Sequence, residues 1–152
     1  MAEQMETNAA ARQGWMGLLA RAPEKDLLTL WAKVTDRPAF KWLRSPEVGG
    51  VMVRGRAGAT GAPFNLGEMS VTRCSLVLED GTVGHGYVQG RSKPKAEAAA
   101  MIDALMQTDA ATALQEVVIE PLRQKIQAAQ QTRAAKAAAT KVEFFTLVRG
   151  ED

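Results

Sequence analysis

The sequence predicts an α+β fold with an antiparallel sheet of about four strands, packed with helices in the N-terminal part, the middle and the C-terminal half. Its 152 residues, 46% of them apolar, suit one domain with one core. Asp80-Gly81 separates two strand-like runs, which is a strong hairpin signal. Segments with helical apolar spacing flank this hairpin on both sides. We therefore place a single domain at residues 12–150 and expect residues 1–11 to form a mobile N-terminus.

Two helices are predicted before the sheet. Apolar spacing from Trp15 onward indicates a first helix that ends near Ala22. Pro23 suits the first turn of a second helix, and Pro38 ends that helix because the residue before a proline avoids helical geometry. The apolar stripe of the second helix is formed by Leu27, Leu30, Trp31 and Val34. Both tryptophans are interpreted as core residues.

The next segment predicts strands separated by a long loop. A strand over Val51–Arg54 precedes a glycine-rich loop at residues 55–65, and strands over Met69–Glu79 and Val83–Gln89 follow. A two-residue turn at Asp80-Gly81 would place Leu78, Leu76, Cys74 and Thr72 opposite Val83, His85, Tyr87 and Gln89. Cys74 and His85 would then share one face. The other face would carry Gly84 and Gly86, where we expect a helix to pack closely, with a ligand as the alternative.

Helices dominate the predicted second half. Ser92 or Lys93 caps a third helix with Pro94 in its first turn, and its buried stripe is Ala98, Met101, Ile102 and Leu105. Asp109 is a candidate cap for a short helix that reaches Val118. Pro121 is expected to break that helix and to start a long Ala-rich one. The apolar run Val142–Val148 predicts a closing strand.

Composition excludes several classes of function. The net charge is +2 and aromatic residues make up 5%, which argues against a nucleic-acid partner. One cysteine excludes an internal disulfide, and no apolar run reaches the length of a membrane span. The N-terminus lacks the features of a signal peptide, so a cytoplasmic location is expected. Between Arg37 and Gly67 the charges are Arg37, Lys41, Arg44, Arg54 and Arg56 against Glu47. Such a segment forms either a solvated face or a contact with an anionic group.

No self-sufficient catalytic or metal site is visible in the sequence. His85 is the only histidine and Cys74 the only cysteine, and a structural zinc site needs about four such ligands. We interpret His85 as a half-buried strand residue. The loop GATGAPFN lacks the Gly-Lys-Ser/Thr of a phosphate-binding loop. We therefore predict no catalytic residue, no metal ligand and no cofactor bound by this chain.

Two segments are candidate contact sites. Arg91, Ser92, Lys93 and Lys95 lie where a strand leads into a helix, and cations are normally unfavourable at a helix N-terminus. An anionic ligand or the acidic side chain of a partner would relieve that conflict, whereas the alternative is that these side chains extend into water. The loop residues Gly58, Thr60, Gly61 and Phe64 form either a flexible connector or a subunit contact, and we favour the contact.

The order of these motifs resembles the PhnG family, small subunits of the bacterial carbon–phosphorus lyase core complex. The resemblance rests on the glycine-punctuated run from Gly58 to Gly90, on Ile102-Asp103-Ala104-Leu105-Met106-Gln107 and on the aromatic C-terminal run with Arg149-Gly150. It extends from about Arg12 to Gly150, nearly the whole chain. The first ten residues and the Ala-rich stretch contribute little to it.

The resemblance implies an accessory subunit of a transferase complex, with no independent activity. In such a complex PhnI, PhnH and the ATP-binding-cassette protein PhnL act with PhnG to displace adenine from Mg-ATP by an alkylphosphonate. The product is a ribose 1-phosphonate 5-triphosphate, and PhnJ later cleaves the carbon–phosphorus bond. Mg-ATP is thus a substrate of the whole complex. Separately, the apolar C-terminal run and the thin apolar stripe of the Ala-rich helix lead us to expect that the isolated chain self-associates. The alternatives are a stand-alone anion- or nucleotide-binding enzyme and a purely structural scaffold.

Overall fold

The structure is a computed structural model that describes the backbone of residues 1–149 and the side chains of residues 1–58 and 60–141. Within these residues the fold is α+β, as predicted. The helices are α1 (Ala2–Arg21), α2 (Glu24–Trp31), α3 (Lys93–Leu105), α4 (Ala111–Leu114) and α5 (Glu120–Arg149), and the strands are β1 (Phe40–Arg56), β2 (Pro63–Leu78) and β3 (Val83–Gln89). Helix α1 includes most of the segment expected to be mobile, and that mobility stays a prediction.

The sheet is antiparallel in the order β1-β2-β3, and two of its strands extend well beyond the third. Strand β3 pairs with β2 only from Val71 to Val77, so the rest of β2 pairs with β1 alone. This two-stranded extension covers residues 50–70. We call residues 47–70, which include the three β1 residues that lead into it, the arm. The long loop predicted at residues 55–65 was wrong, because Arg54, Gly55 and Arg56 continue the ladder. Only a short turn with a 3₁₀ segment, Ala57–Ala59, closes the arm.

The β2–β3 turn has one residue more than predicted, and this shifts the register. The N–H of Gly81 donates to Leu78 O (3.0 Å), and the N–H of Leu78 donates to Thr82 O (2.9 Å). Gly81 has a φ of 88°, the left-handed conformation that closes a three-residue hairpin loop. Ser75 therefore lies opposite His85, and Cys74 opposite Gly86. The predicted pairing was wrong by one residue, and Cys74 and His85 lie on opposite faces.

Helix α3 packs on the sheet face that carries Cys74, Gly84 and Gly86. A Cβ atom on Gly84 would overlap the carbonyl oxygen of Ala100, and one on Gly86 would overlap that of Ala96. The element that packs closely against these two glycines is thus a helix, as predicted. The largest fully buried side chains of the core are Leu19, Leu27, Leu76, Ile102, Ile119 and Leu122. They come from β2 and from helical segments before and after the sheet in the sequence, so the chain has one core.

The C-terminal half is more helical than predicted. Helix α4 continues through a π-helical turn, Gln115–Ile119, into α5 without leaving helical geometry. Pro121 is the second residue after this turn, where the hydrogen-bond ladder is already displaced, so it does not break the helix. The cap predicted at Asp109 was also wrong, since α4 has Ala110 at its N-cap position.

The predicted closing strand at Val142–Val148 is part of α5. Its β-branched and aromatic residues favour strands, but no Gly or Pro interrupts the chain between Leu122 and Arg149. A helix that has already formed therefore continues through them. The predicted burial of these side chains on two faces lies outside the described side chains. The sheet accordingly has three strands within the described residues.

The single thiol should be chemically silent in the folded chain. Cys74 is 4% exposed, and its S–H donates to Ala96 O at 3.2 Å. Burial raises its pKa from 9.0 to about 11. The protonated thiol therefore stabilises the fold at neutral pH, and this contribution is lost as the pH rises from 9.0 to about 11. We expect no reaction with Ellman's reagent at pH 8 and stoichiometric reaction in guanidinium chloride. Rapid labelling of the native chain would contradict this.

Candidate functional site

The junction between β3 and α3 has the local structure that the sequence predicts. Gly90 has a φ of 94°, which turns the chain out of β3. Ser92 is the N-cap of α3, and its Oγ accepts a hydrogen bond from the N–H of Lys95 at 3.1 Å. Pro94 follows in the first turn. We call Arg91–Lys95 the basic helix start.

The Lys95 side chain points into the protein and not toward solvent. The residue is 5% exposed, and its Nζ donates to Ala20 O (3.2 Å) and Gln89 O (3.1 Å). Burial lowers its pKa, and the nearby carboxylate of Glu24 opposes that shift. Ala20 belongs to the last turn of α1, where carbonyl groups lack helical partners. Lys95 thus ties the C-terminal end of α1 to β3.

A carboxylate of the chain itself already lies at the N-terminus of α3. The hydroxyl of Ser92 donates to Glu24 Oε1 at 2.6 Å. A negative charge is favourable at this end of a helix, so Glu24 offsets part of the charge conflict that the cations create. Sequence reasoning missed this contact because Glu24 is 68 positions away from Ser92.

Arg91 and Lys93 are the exposed cations of the basic helix start. Arg91 Nε donates to Ser70 Oγ at 3.3 Å. Neither cation forms a salt bridge with a described side chain. Both line an open cleft of about 720 Å³ together with Pro23, Glu24 and Gln89, among others. The cleft therefore presents two available cations beside one carboxylate.

The predicted loop residues lie at the far end of the arm. Gly58 is in the 3₁₀ turn, and the hydroxyl of Thr60 donates to its carbonyl oxygen at 3.4 Å. Gly61 closes the turn by donating its N–H to Ala57 O (3.0 Å). Phe64, the second residue of β2, is 46% exposed. The structure thus brings these residues together in one exposed tip, separate from the basic helix start.

A buried aspartate that sequence reasoning missed holds α1 against the edge of the sheet. Asp103 of α3 is fully buried and accepts hydrogen bonds from Arg12 Nε (3.1 Å), Arg12 Nη2 (2.8 Å) and Trp15 Nε1 (2.9 Å). Its second oxygen also accepts the backbone N–H of His85 at 2.9 Å. The hydrogen bond with Asp103 raises the pKa of Arg12. The available signal was one aspartate within the apolar stripe of a helix.

Beside Asp103 and its partners lies an open groove of about 1020 Å³, between α1 and the residues that directly follow α3. Arg12, Trp15, Met16, His85 and Met106 are among its lining residues. His85 is exposed there, in contrast to the half-buried position that we predicted. Its partner across the sheet is Ser75, so the structure does not bring His85 and Cys74 together.

Comparison with known proteins places this fold in a family. The family described as Phosphonate metabolism protein PhnG matches residues 10–150. A protein of Rhizobium meliloti (strain 1021) is 44% identical over 147 residues, covering 97% of this chain and 94% of the relative. The chain belongs to the PhnG family. The resemblance seen in the sequence is confirmed.

The relative from Rhizobium meliloti is named alpha-D-ribose 1-methylphosphonate 5-triphosphate synthase subunit PhnG. Its name describes one subunit of a synthase. The family match includes α1 from Ala10 onward, the arm, the basic helix start and Asp103. All the candidate sites described above therefore lie within the PhnG region.

The described residues contain neither a membrane-spanning helix nor a cluster of metal-binding side chains. No helix there combines the length and apolarity needed to cross a membrane. Within the same part of the chain, His, Cys, Asp and Glu form no group of three or more that could hold a metal ion.

Proposed function

We propose that this chain is an accessory subunit of the PhnG-containing complex that starts organic phosphonate breakdown in the cytoplasm. That complex displaces adenine from Mg-ATP by an alkylphosphonate and forms a ribose 1-phosphonate 5-triphosphate. The observation that carries the proposal is the 44% identity, over 97% of the chain, with a protein named as a subunit of this synthase. The companion subunits are of the PhnI, PhnH, PhnJ and PhnL types, and Mg-ATP is the substrate of the whole assembly.

The contacts of two buried ionisable side chains, Asp103 and Lys95, favour a structural role for these groups over a catalytic one. Asp103 uses both carboxylate oxygens to accept hydrogen bonds from Arg12, Trp15 and the His85 N–H. Lys95 uses its ammonium group on two backbone carbonyl oxygens. A general acid or base must reach its substrate within hydrogen-bonding distance. These two side chains are instead engaged in holding α1, α3 and β3 together.

The experiment that tests the reaction uses the co-purified assembly of this chain with its companion subunits. Incubated with Mg-ATP and methylphosphonate, the assembly should release adenine, and ³¹P NMR should show a phosphonate ester joined to a triphosphate. The isolated chain should release none. Adenine release by the isolated chain would favour the stand-alone enzyme, and an assembly that forms but leaves ATP unchanged would contradict the proposed reaction.

The basic helix start is proposed as a contact for an anionic group, either a substrate phosphate or an acidic side chain of a companion subunit. Its support is the position of Arg91 and Lys93, exposed beside the N-terminus of α3 without a described salt-bridge partner. Charge-assisted hydrogen bonds to these groups would be about twice as strong as neutral ones. Ser92 and Lys95 have a structural part in this site, because the Ser92 hydroxyl donates to Glu24 and the Lys95 ammonium group donates to Ala20 O.

Arg91→Ala combined with Lys93→Ala should leave the fold intact and weaken assembly or turnover. Neither side chain is buried, so the melting temperature should change little, since most exposed substitutions stay within about 0.5 kcal/mol. Arg133→Ala with Lys136→Ala, two exposed cations on α5, is the matched control. The measurements are a melting curve, a pull-down of companion subunits and adenine release. Parent-like behaviour of the site variant in all three would favour a purely structural scaffold.

The tip of the arm is proposed as a subunit contact. Gly58, Thr60, Gly61 and Phe64 lie together on an extension that projects beyond β3. An exposed phenylalanine at the end of such an extension favours burial against another chain.

A further inference from the structure

The outer edge of β1 is open along the arm. Among the residues that the structure describes, strand β1 has β2 on one side and no strand on the other. From Glu47 to Val53 its pairing with β2 is in continuous register, whereas irregularities interrupt it between Trp42 and Glu47. Pro46 lies in that irregular part, and prolines and bulges are common devices that prevent strand addition. The regular part has neither device.

Hydrogen bonds at the two ends of β2 show which backbone groups face outward from the arm. Ser70 accepts from the Gly90 N–H, and Leu78 donates to Thr82 O, so even-numbered residues of β2 bond toward β3. Odd-numbered residues such as Val71 bond toward β1. Their partners Glu47, Gly49, Val51 and Val53 are then the β1 residues that bond to β2. The N–H and C=O groups of Val48, Gly50 and Met52 point away from the sheet.

The opposite edge of the sheet is closed by side chains of α3 and of the residues that follow it. Asp103 accepts the N–H of His85, and Gln107 Nε2 donates to Val83 O at 2.9 Å. Lys95 donates to Gln89 O at 3.1 Å. No described backbone or side-chain group makes comparable bonds with Val48, Gly50 or Met52 on their outer side. The chain thus closes one edge of its sheet and leaves the other available.

The open edge has apolar and basic features that define its partner. Val48 and Met52 are 43% and 60% exposed and share one face of β1. Arg54 and Arg56 follow at the end of the strand, and neither forms a salt bridge with a described residue. A complementary segment is extended, apolar opposite Val48 and Met52, and acidic at the end that meets the two arginines.

We propose that an extended segment of a companion subunit, apolar with a carboxylate near one end, adds to β1 as a fourth strand between Glu47 and Val53. This proposal rests on the proposed function, because the partner is another subunit of the same complex. Main-chain hydrogen bonds to Val48, Gly50 and Met52 supply the pairing. The side chains of Val48 and Met52 select the partner.

Hydrogen exchange on the native assembly tests the strand addition without any substitution. Amides in peptides that span residues 47–53 should exchange at least about tenfold more slowly in the assembly than in the isolated chain. Equal exchange in an assembly that releases adenine would overturn the strand addition and leave the proposed function intact. Protection that grows with the concentration of the isolated chain would also overturn it, since the occupant would be a second copy.

A pair of matched variants separates backbone pairing from side-chain contact. Val48→Pro with Met52→Pro removes two outward N–H groups without removing a bond to β2, while Val48→Thr with Met52→Thr keeps both groups. Affinity for the companion subunits should fall about tenfold or more in the proline variant relative to the threonine variant. Equal affinities in two folded variants would overturn the proposal. If the proline variant does not fold, the exchange experiment decides.

Discussion

Asp103→Ala should lower the free energy of unfolding by about 3 kcal/mol, because it removes the acceptor that joins α3 to α1 and β3. The fully buried carboxylate bonds Arg12 and Trp15 of α1 and the His85 N–H at the edge of β3. Breaking a buried ion pair costs about 3–5 kcal/mol, and the lower value applies here because the Arg12 side chain is 33% exposed and can turn to water. Urea denaturation followed by tryptophan fluorescence measures the change.

Two controls identify the cause of this loss. Asp109→Ala removes an exposed aspartate close in sequence and should change stability by less than about 0.5 kcal/mol. A double-mutant cycle with Arg12→Met should show that the effects of Arg12 and Asp103 are strongly non-additive. Additive effects, or a stable Asp103→Ala chain, would mean that the Asp103 hydrogen bonds do not hold α1 in place.

Gly84→Ala should cost about 3 kcal/mol or more, although it adds only one methyl group. The new Cβ would overlap the carbonyl oxygen of Ala100 and lie 2.8 Å from Ala104 Cβ, so the backbone of α3 has to move away from the sheet. The nearest atoms are backbone atoms and an alanine Cβ of α3, so no flexible side chain can absorb the shift. Thermal or urea unfolding of the chain measures this effect.

Gly49→Ala is the matched control, because it adds the same methyl group to a strand glycine with no atom within 4 Å of the new Cβ. Its stability should stay within about 0.5 kcal/mol of the parent. Similar stabilities for the Gly84 and Gly49 variants would contradict the close packing of α3 on β3.

Local signals predicted the elements whose boundaries depend on local chemistry. Pro23 is the N-cap of α2, and Ser92 caps α3 through its own side chain, so both helix starts could be located from neighbouring residues. The predicted end of α2 at Pro38 was wrong, because the helix already ends at Trp31 and leaves Val34 outside it. The hairpin was predicted from Asp80-Gly81, but its register was not. The same dipeptide fits loops of two or three residues, and one residue decides which side chains face α3.

Features that depend on residues distant in the sequence, or on a helix or strand continuing past its local signals, were not predictable. The Ala-rich helix continues through Val142–Val148 because nothing interrupts it, although the composition of that run favours a strand. The glycine-rich segment is an arm because two strands pair beyond β3, which needs no particular side chains. In the candidate site, the orientation of Lys95 and the approach of Glu24 depend on α1 and α2. Arg91 and Lys93 lie exposed where β3 leads into α3, as the local sequence predicts, and their role as a contact stays a prediction.

The central claim is that this chain contributes to ribose phosphonate synthesis only as a subunit, and an omission experiment tests it most directly. The companion subunits are prepared with and without this chain, and the initial rate of adenine release from Mg-ATP and methylphosphonate is measured. We predict background rates for the chain alone and for the companions alone, and full activity when they are assembled together. Full activity of the companions without the chain, or activity of the chain alone, would contradict the claim.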